Sequence, residues 1–414
     1  MNVLFSKQRQ KGWYVLILLS FFVLGEQVRR GIYSALSLNF VFFICMCVLL
    51  VLNRKNLYFI RFCIVSALIV HATILNVVSG CSIDSVIRCI VVYFCPLYLL
   101  TINYEFYKLD FYDISVTCLK IINFFMIFIC CCYFFDIVTN GMFIKTIGVK
   151  LYTVKNWVPT NVSIFRSRYP SYMGHYLYTG ELYLIFFILN SCFKLKTNKW
   201  IMKPRWIYLV YFVGTLSTAS KTCTMLMILA ITINILWGSK KYRMLKLIGA
   251  FIIFILLYML GAFDFVLSRI FEADSITTGR AEAWEYLRNR NMLHFSLFEG
   301  PGMNLEREWG VSASTDFNLG YTAVKQTSIA LEYPLIANFF RYGIVNNSIT
   351  IILMYIIPVK KQLKAGNYYI AICLTILFVD VNTFNLLTQG MDAMLVYIFT
   401  VVMLNFIGNV TKSD

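Results

Sequence analysis

Apolar residues fall in runs of about 17–23 that follow one another along the whole 414-residue chain. No other feature of the sequence narrows the fold as far. A run of that length crosses a hydrocarbon core about 30 Å thick as an α-helix. Open sheet edges cannot sit in lipid, where each backbone N–H and C=O must be satisfied internally. The sequence therefore predicts an all-α polytopic membrane protein of about twelve transmembrane helices. The spans read as 12–26, 32–52, 57–78, 86–103, 114–137, 172–193, 206–219, 222–238, 247–264, 334–357, 368–386 and 391–408. No cleavage site follows the first run, so it reads as an uncleaved span. The whole of 1–414 reads as one integral membrane domain.

Composition agrees. Hydrophobic residues make up 59% of the chain and charged residues 14%, against roughly 45–50% and about 25% in an ordinary soluble domain. Disorder, a coiled coil, a secreted disulfide scaffold and nearly any soluble enzyme are excluded. Most of the thirteen cysteines lie inside apolar runs, where a thiol acts as a small hydrophobe. The net charge of +17 is explained by topology rather than by nucleic acid, because loops kept in the cytoplasm gather Lys and Arg. With a cytoplasmic N-terminus, the inside segments hold 19 basic residues, 15 of them Lys. The outside segments hold 14, of which 9 are Arg and 11 lie in two long loops. Charge alone decides retention, so the Arg preference outside points to recognition of phosphate or carboxylate by a planar fork.

Those loops are 139–171 and 265–333, the second lying between spans nine and ten. Loops so long are usually functional. The aromatic content of the second argues that it folds onto the membrane domain. Within it, Ser275–Arg290 reads as a helix capped by Thr277 or Thr278, with Ala281, Ala283, Trp284 and Leu287 as its apolar face. P-loop, HExxH and GxSxG motifs are missing. Glu272 and Asp274 are too few ligands for a divalent cation. His71, His175 and His294 stand alone, and a lone His is more often structural than catalytic. Of the ionisable residues inside spans, Arg61, Arg88 and Lys120 lie near an interface. Arg341 lies about two turns in from Glu332 and needs a cavity or a carboxylate, for which Glu181 and Asp380 are candidates.

Five segments of the second half carry the remaining signal. Ile164-Phe165-Arg166-Ser167-Arg168-Tyr169-Pro170 precedes the sixth span. Leu216-Ser217-Thr218-Ala219-Ser220-Lys221-Thr222 joins two spans on the outer side. Thr278-Gly279-Arg280-Ala281-Glu282-Ala283-Trp284 opens the loop helix. Glu299-Gly300-Pro301-Gly302 is a turn where backbone can approach a ligand closely. Glu332-Tyr333-Pro334 leads into Asn338-Phe339-Phe340-Arg341-Tyr342-Gly343-Ile344. In this order the segments resemble the bacterial O-antigen polymerase and ligase superfamily, multi-pass proteins of the inner membrane. The motifs cover roughly 160–345, and the topology covers the chain. The ligase branch usually carries a His near the end of the large loop, where this chain has Glu332; that departure favours polymerase. The serine-rich turn ends in Lys221 where the family more often has Arg.

The resemblance implies a metal-independent membrane glycosyltransferase without cofactor. It moves a glycan chain from undecaprenyl diphosphate onto another lipid-linked repeat unit at the periplasmic face, with both termini cytoplasmic. Its partners are lipid-linked oligosaccharides, membrane lipid and, as a further candidate, a chain-length regulator protein. A leaving diphosphate asks for preorganised cations; Arg166, Arg168, Arg280, Arg341, Lys221 and Arg288 are the candidates. An attacking hydroxyl asks for a base; Glu332 comes first, ahead of His294 and Glu181. Glu332, Arg280 and Arg341 form the expected catalytic set. Trp284, Trp309, Tyr333 and Tyr321 are the aromatics expected to face sugars, although packing is the commoner role of such residues. Two alternatives remain, a ligase acting on lipid A-core and a polysaccharide flippase or other transporter. The absence of an internal repeat argues against the transporter.

Overall fold

The computed structural model describes residues 2–104, 110–151, 162, 164, 168–238, 243–259, 261, 263–264, 266–267, 280–305, 334–383 and 392–410. For 2–9, 34–35, 148–151, 243, 257, 280–283 and 286 it gives the backbone alone. Within these residues the chain is helical, and the one β-type contact is an isolated bridge between Leu57 and Ile102.

The helices in chain order are α1 (Asn2–Phe22), α2 (Glu26–Ile32), α3 (Phe40–Leu52), α4 (Phe59–Val78) and α5 (Ile83–Thr101). They continue with α6 (Phe111–Val138), α7 (Met142–Leu151), α8 (Tyr176–Thr197), α9 (Pro204–Ser217), α10 (Lys221–Trp237) and α11 (Arg243–Met259). The last four are α12 (Arg280–Asn289), α13 (Pro334–Lys364), α14 (Tyr368–Thr383) and α15 (Ala393–Asn409). Five of them, α4, α5, α6, α8 and α13, are long and apolar enough to cross a membrane, and five shorter apolar helices accompany them. Large apolar side chains on the outside of the bundle, among them Phe59, Ile60, Val78, Phe124, Val138 and Phe251, are more than half exposed. In water such a surface would aggregate; in lipid it is the solvent-matched face. The chain is a multi-pass, membrane-embedded helical protein.

Several expected boundaries move for local reasons. The expected second span 32–52 begins only at Phe40, because Asn39 caps it, its side chain accepting the Phe42 N–H at 2.9 Å. The long loop 139–171 contains α7 directly after α6. The tenth span runs on from Ile357 to Lys364 through a stretch of π-helix at Ile352–Ile356.

Helices α8 and α15 are the centre of the bundle. Of the most apolar window of α8, 89% of the residues are buried, against 22% in α4. Helix α8 packs on α6, α9, α10, α14 and α15. Glycines set two of these approaches: a side chain at Gly214 of α9 would run into the Tyr183 ring, and one at Gly180 of α8 into the Cys223 sulfur of α10. Chain ends are tied together by Arg29, which donates to Asp392 at 2.7 Å and to the carbonyls of Ser20, Leu24, Leu36 and Ser37. Buried ion pairs persist where further hydrogen bonds satisfy the charged groups, and here each guanidinium nitrogen of Arg29 finds an acceptor.

Candidate functional site

The first group of sequence-expected residues gathers where α8, α9 and α10 begin or end. Segment 168–175 is held to the serine-rich turn by the Tyr169 N–H, which donates to the Ser217 carbonyl at 2.9 Å. The Tyr169 hydroxyl reaches across to Asp136 of α6 at 2.8 Å. Asp136 also accepts the Phe143 and Ile144 N–H groups that open α7 (2.7 and 3.1 Å), the placement the helix dipole favours. Arg168 is half-buried; it donates to the Tyr176 hydroxyl at 2.6 Å and lies over that ring. His175 stacks on the same ring. Burial, with the Arg168 charge beside it, pushes the His175 imidazole down to about 4, so it is neutral at pH 7. On the other side of the joint, Ala219 takes a positive φ of 48°, and the Ser220 hydroxyl caps α10 by accepting the Cys223 N–H at 3.3 Å. Lys221 is the first residue of α10. Arg168 and Lys221 thus flank one backbone joint at one end of the bundle.

The second group is built on a break in α13. Gly343 has φ 79° and ψ 166°, a conformation closed to other residues. The break frees two amide groups, and the large loop takes them: Ile344 N–H donates to Ser296 C=O (2.9 Å) and Val345 N–H to Leu297 C=O (3.0 Å). The loop is then stapled to α4. The Phe298 carbonyl lies 2.7 Å from His71 Nε2, and Asn346 Nδ2 lies 2.9 Å from His71 Nδ1. An amide NH₂ only donates and a carbonyl only accepts, so His71 is the Nε2–H tautomer. Met303 N–H donates to Asn76 Oδ1 at 2.8 Å, and Asn304 to the Ser79 carbonyl at 2.5 Å.

The Gly300–Gly302 turn, expected to approach a ligand, instead approaches protein. A side chain at Gly300 would collide with the Phe340 and Arg341 carbonyls, and one at Gly302 with Asn76. Helix α12 is fastened to the same region: Leu287, Leu305, Ala337 and Phe340 form a small core, with Trp284 packed against it.

Arg341 is buried beside this break. Its guanidinium donates to Asn338 Oδ1 at 3.2 Å, and Asn338 donates to the Tyr93 hydroxyl at 2.6 Å. Tyr93 stacks on Tyr342, whose hydroxyl lies 3.1 Å from Cys89. The sequence offered Glu181 and Asp380 as carboxylates for Arg341. Neither has Arg341 among its electrostatic neighbours; Glu181 has Asp380 instead. Position along the helices explains this, because α8 and α14 bury the two carboxylates in the centre of the bundle, whereas Arg341 faces α5.

Of the other expected residues, Arg288 is exposed at the end of α12, and Trp284 is turned partly into the small core rather than outward. Arg280 opens α12, with its backbone alone described. Arg166, Trp309, Tyr321, Glu332 and Tyr333 lie outside the described residues, as do Glu272 and Asp274. Among the described residues no three His, Cys, Asp or Glu side chains are grouped to hold a metal ion.

Sequence reasoning missed the Arg29–Asp392 pair and the role of His71 and Asn76 as loop anchors. Asn76 sits five residues beyond His71 in a largely apolar run, and two amide- or imidazole-bearing residues inside that run were the available signal. A cleft of about 940 Å³ opens at the far end of α8 between Lys194, Arg205 and Lys246, and none of the expected residues lines it. No protein-family model matches the chain, and no curated protein does.

Proposed function

We propose that the chain is a surface-polysaccharide polymerase of the O-antigen type. It transfers a glycan chain from undecaprenyl diphosphate to a hydroxyl of a second lipid-linked repeat unit during lipopolysaccharide assembly. The protein sits in a bacterial inner membrane with twelve spans, both termini in the cytoplasm and the reaction at the periplasmic face. One observation carries the reading: Arg168 and Lys221, two basic residues that the motif order singles out, flank the Tyr169–Ser217 joint. Two cations so placed suit a diphosphate whose charge grows as the glycosidic bond to it breaks. The Gly343 break and the loop seated on it give the large loop a fixed attachment beside Arg341, so a donor diphosphate would meet a preorganised surface. Arg280 and Arg166 are proposed to join that surface, and Glu332 to take the proton of the attacking hydroxyl.

The test uses purified protein and lipid-linked repeat units, with chain length read on a gel. Arg168→Ala and Arg341→Ala should each lower the polymerisation rate by about 10²–10³, the cost of removing one preorganised charge-stabilising donor. Normal ladders from both variants would remove the reading. A second reading, transport of a lipid-linked glycan, is favoured by one observation only, the two unpartnered carboxylates inside the bundle.

A further inference from the structure

Glu181 and Asp380 are the two carboxylates that the sites above do not use. Both are completely buried, and among the described residues neither oxygen of either side chain has a hydrogen-bond partner. The other interior carboxylates show how this fold treats an ordinary buried acid. Asp136 accepts from two backbone N–H groups and a tyrosine hydroxyl. Asp392 takes the guanidinium of Arg29. Two bare ionised carboxylates in such surroundings would cost far more than a folded protein's whole stability. Something outside the protein's own hydrogen bonds must neutralise them.

The surroundings are polar and point the same way. Glu181 lies on the sixth residue of α8 and Asp380 three residues before the end of α14, and the two helices pack together. Each lies about 5–8 Å inside the end of the bundle that carries Arg168, at 1.5 Å per helical residue. Glu181 feels the charge of Asp380. From α10, the Cys223 thiol packs beside Gly180, the residue before Glu181, within electrostatic reach of both carboxylates. From α9, the Tyr211 hydroxyl, buried and without a hydrogen-bond partner among the described residues, lies within electrostatic reach of Asp380. From α8 itself, Tyr178 faces Glu181 one turn earlier, and its hydroxyl is also unpartnered. Arg29 and Asp392 reach Tyr178 but are spent on each other. Helix α6 adds no ionisable neighbour to either carboxylate.

From this arrangement we propose that Glu181 and Asp380 form an intramembrane site for one exchangeable monovalent cation, a proton or an alkali ion, completed by the Tyr211 hydroxyl. Calcium and magnesium are disfavoured, since they take six or more ligands, and among the described residues no three His, Cys, Asp or Glu side chains are grouped here to hold a transition metal. Glu181 follows Gly180, whose close contact with Cys223 and Thr218 joins α8 to the Ser217–Lys221 turn and the start of α10, so occupancy is felt at that contact. The site stands apart from the polymerase reading and is tested without any glycan.

The experiment is infrared difference spectroscopy of the purified protein, following the protonated-carboxyl C=O stretch while pH is stepped, with sodium or choline chloride present. Bands are assigned with Glu181→Gln and Asp380→Asn, and with carboxyl-labelled aspartate in the wild type in case a variant fails to fold. The proposal expects a protonated carboxyl at neutral pH that belongs to this pair and bleaches reversibly at alkaline pH. Bleaching by sodium and not choline at fixed pH makes an alkali ion the occupant; no sodium effect makes it a proton. In Asp380→Asn, Glu181 loses the like charge beside it, so its alkaline bleaching should move to lower pH by about one unit or more. The proposal is overturned if no band of either residue responds to pH or sodium while the protein stays folded. It is equally overturned if the remaining carboxyl titrates as in the wild type.

Discussion

Replacing Gly343 by Ala tests the link between the broken helix and the large loop. At φ 79°, ψ 166°, an alanine is strained by about 1–3 kcal/mol. Its Cβ would also lie 2.7 Å from the Leu297 carbonyl oxygen and 3.0 Å from its carbon, closer than real side chains approach. The added methyl pushes the Leu297 backbone off the break, so the Ile344 and Val345 N–H groups lose their loop acceptors. The two hydrogen bonds they make are worth about 1 kcal/mol each, so docking should weaken by about 3–5 kcal/mol in all. Hydrogen exchange read by mass spectrometry reports it. Peptides containing Ile344 and Val345 should exchange about 10²–10⁴ times faster than in the wild type, at about 1.4 kcal/mol per tenfold. Gly249→Ala on α11 is the control, because nothing lies within 4 Å of its added Cβ; exchange there should hold or slow. Unchanged protection at Ile344 in Gly343→Ala would refute the reasoning.

Three further outcomes are expected. Arg29→Ala should lower stability in detergent by about 3–5 kcal/mol, since it strands the buried Asp392; a melting temperature equal to wild type contradicts this. Gly214→Ala should cost about 1–3 kcal/mol by pushing the Tyr183 ring out of the α8–α9 contact, and Gly214→Ala combined with Tyr183→Leu should recover part of it. His175 is held neutral, with its folded value pushed down to about 4 from the usual 6.5. The unfolded chain therefore binds the extra proton first. The stabilisation is complete above about 6.5 and is lost as pH falls toward about 4. His175→Gln should flatten that part of the stability profile, and a profile parallel to wild type argues against it.

How far the sequence could be read depended on what each signal measures. Hydropathy runs report burial in lipid, which is why the helical, multi-pass class is legible from them. They do not report where a helix starts when a polar cap intervenes, as Asn39 does ahead of Phe40, nor that α7 follows α6 so closely. Lone polar residues inside spans were legible as a set but not as pairs. Arg341, Glu181 and Asp380 each violate the apolar pattern, and proximity in sequence gave no reason to join the two acids to each other rather than to the arginine. Glycines misled in an instructive way. Gly300 and Gly302 do permit close approach, but a helix backbone and Asn76 occupy the space expected for a ligand. The resemblance offers Trp284 as a sugar-contacting residue, while the helical pattern puts it on the apolar face, and in the structure it packs toward Phe340. Motif order brought out Arg168 and Lys221 on different segments, and only the Tyr169–Ser217 hydrogen bond makes them neighbours of one joint.

The most direct measurement of the central claim is the glycan ladder from cells lacking this gene, complemented with wild type or with Arg280→Ala. The account predicts that wild type restores long chains, while Arg280→Ala leaves core plus a single repeat unit. Long chains accumulating on undecaprenyl diphosphate with none joined to core would mark a ligase instead. A ladder changed by neither the deletion nor the substitution would contradict the assignment altogether.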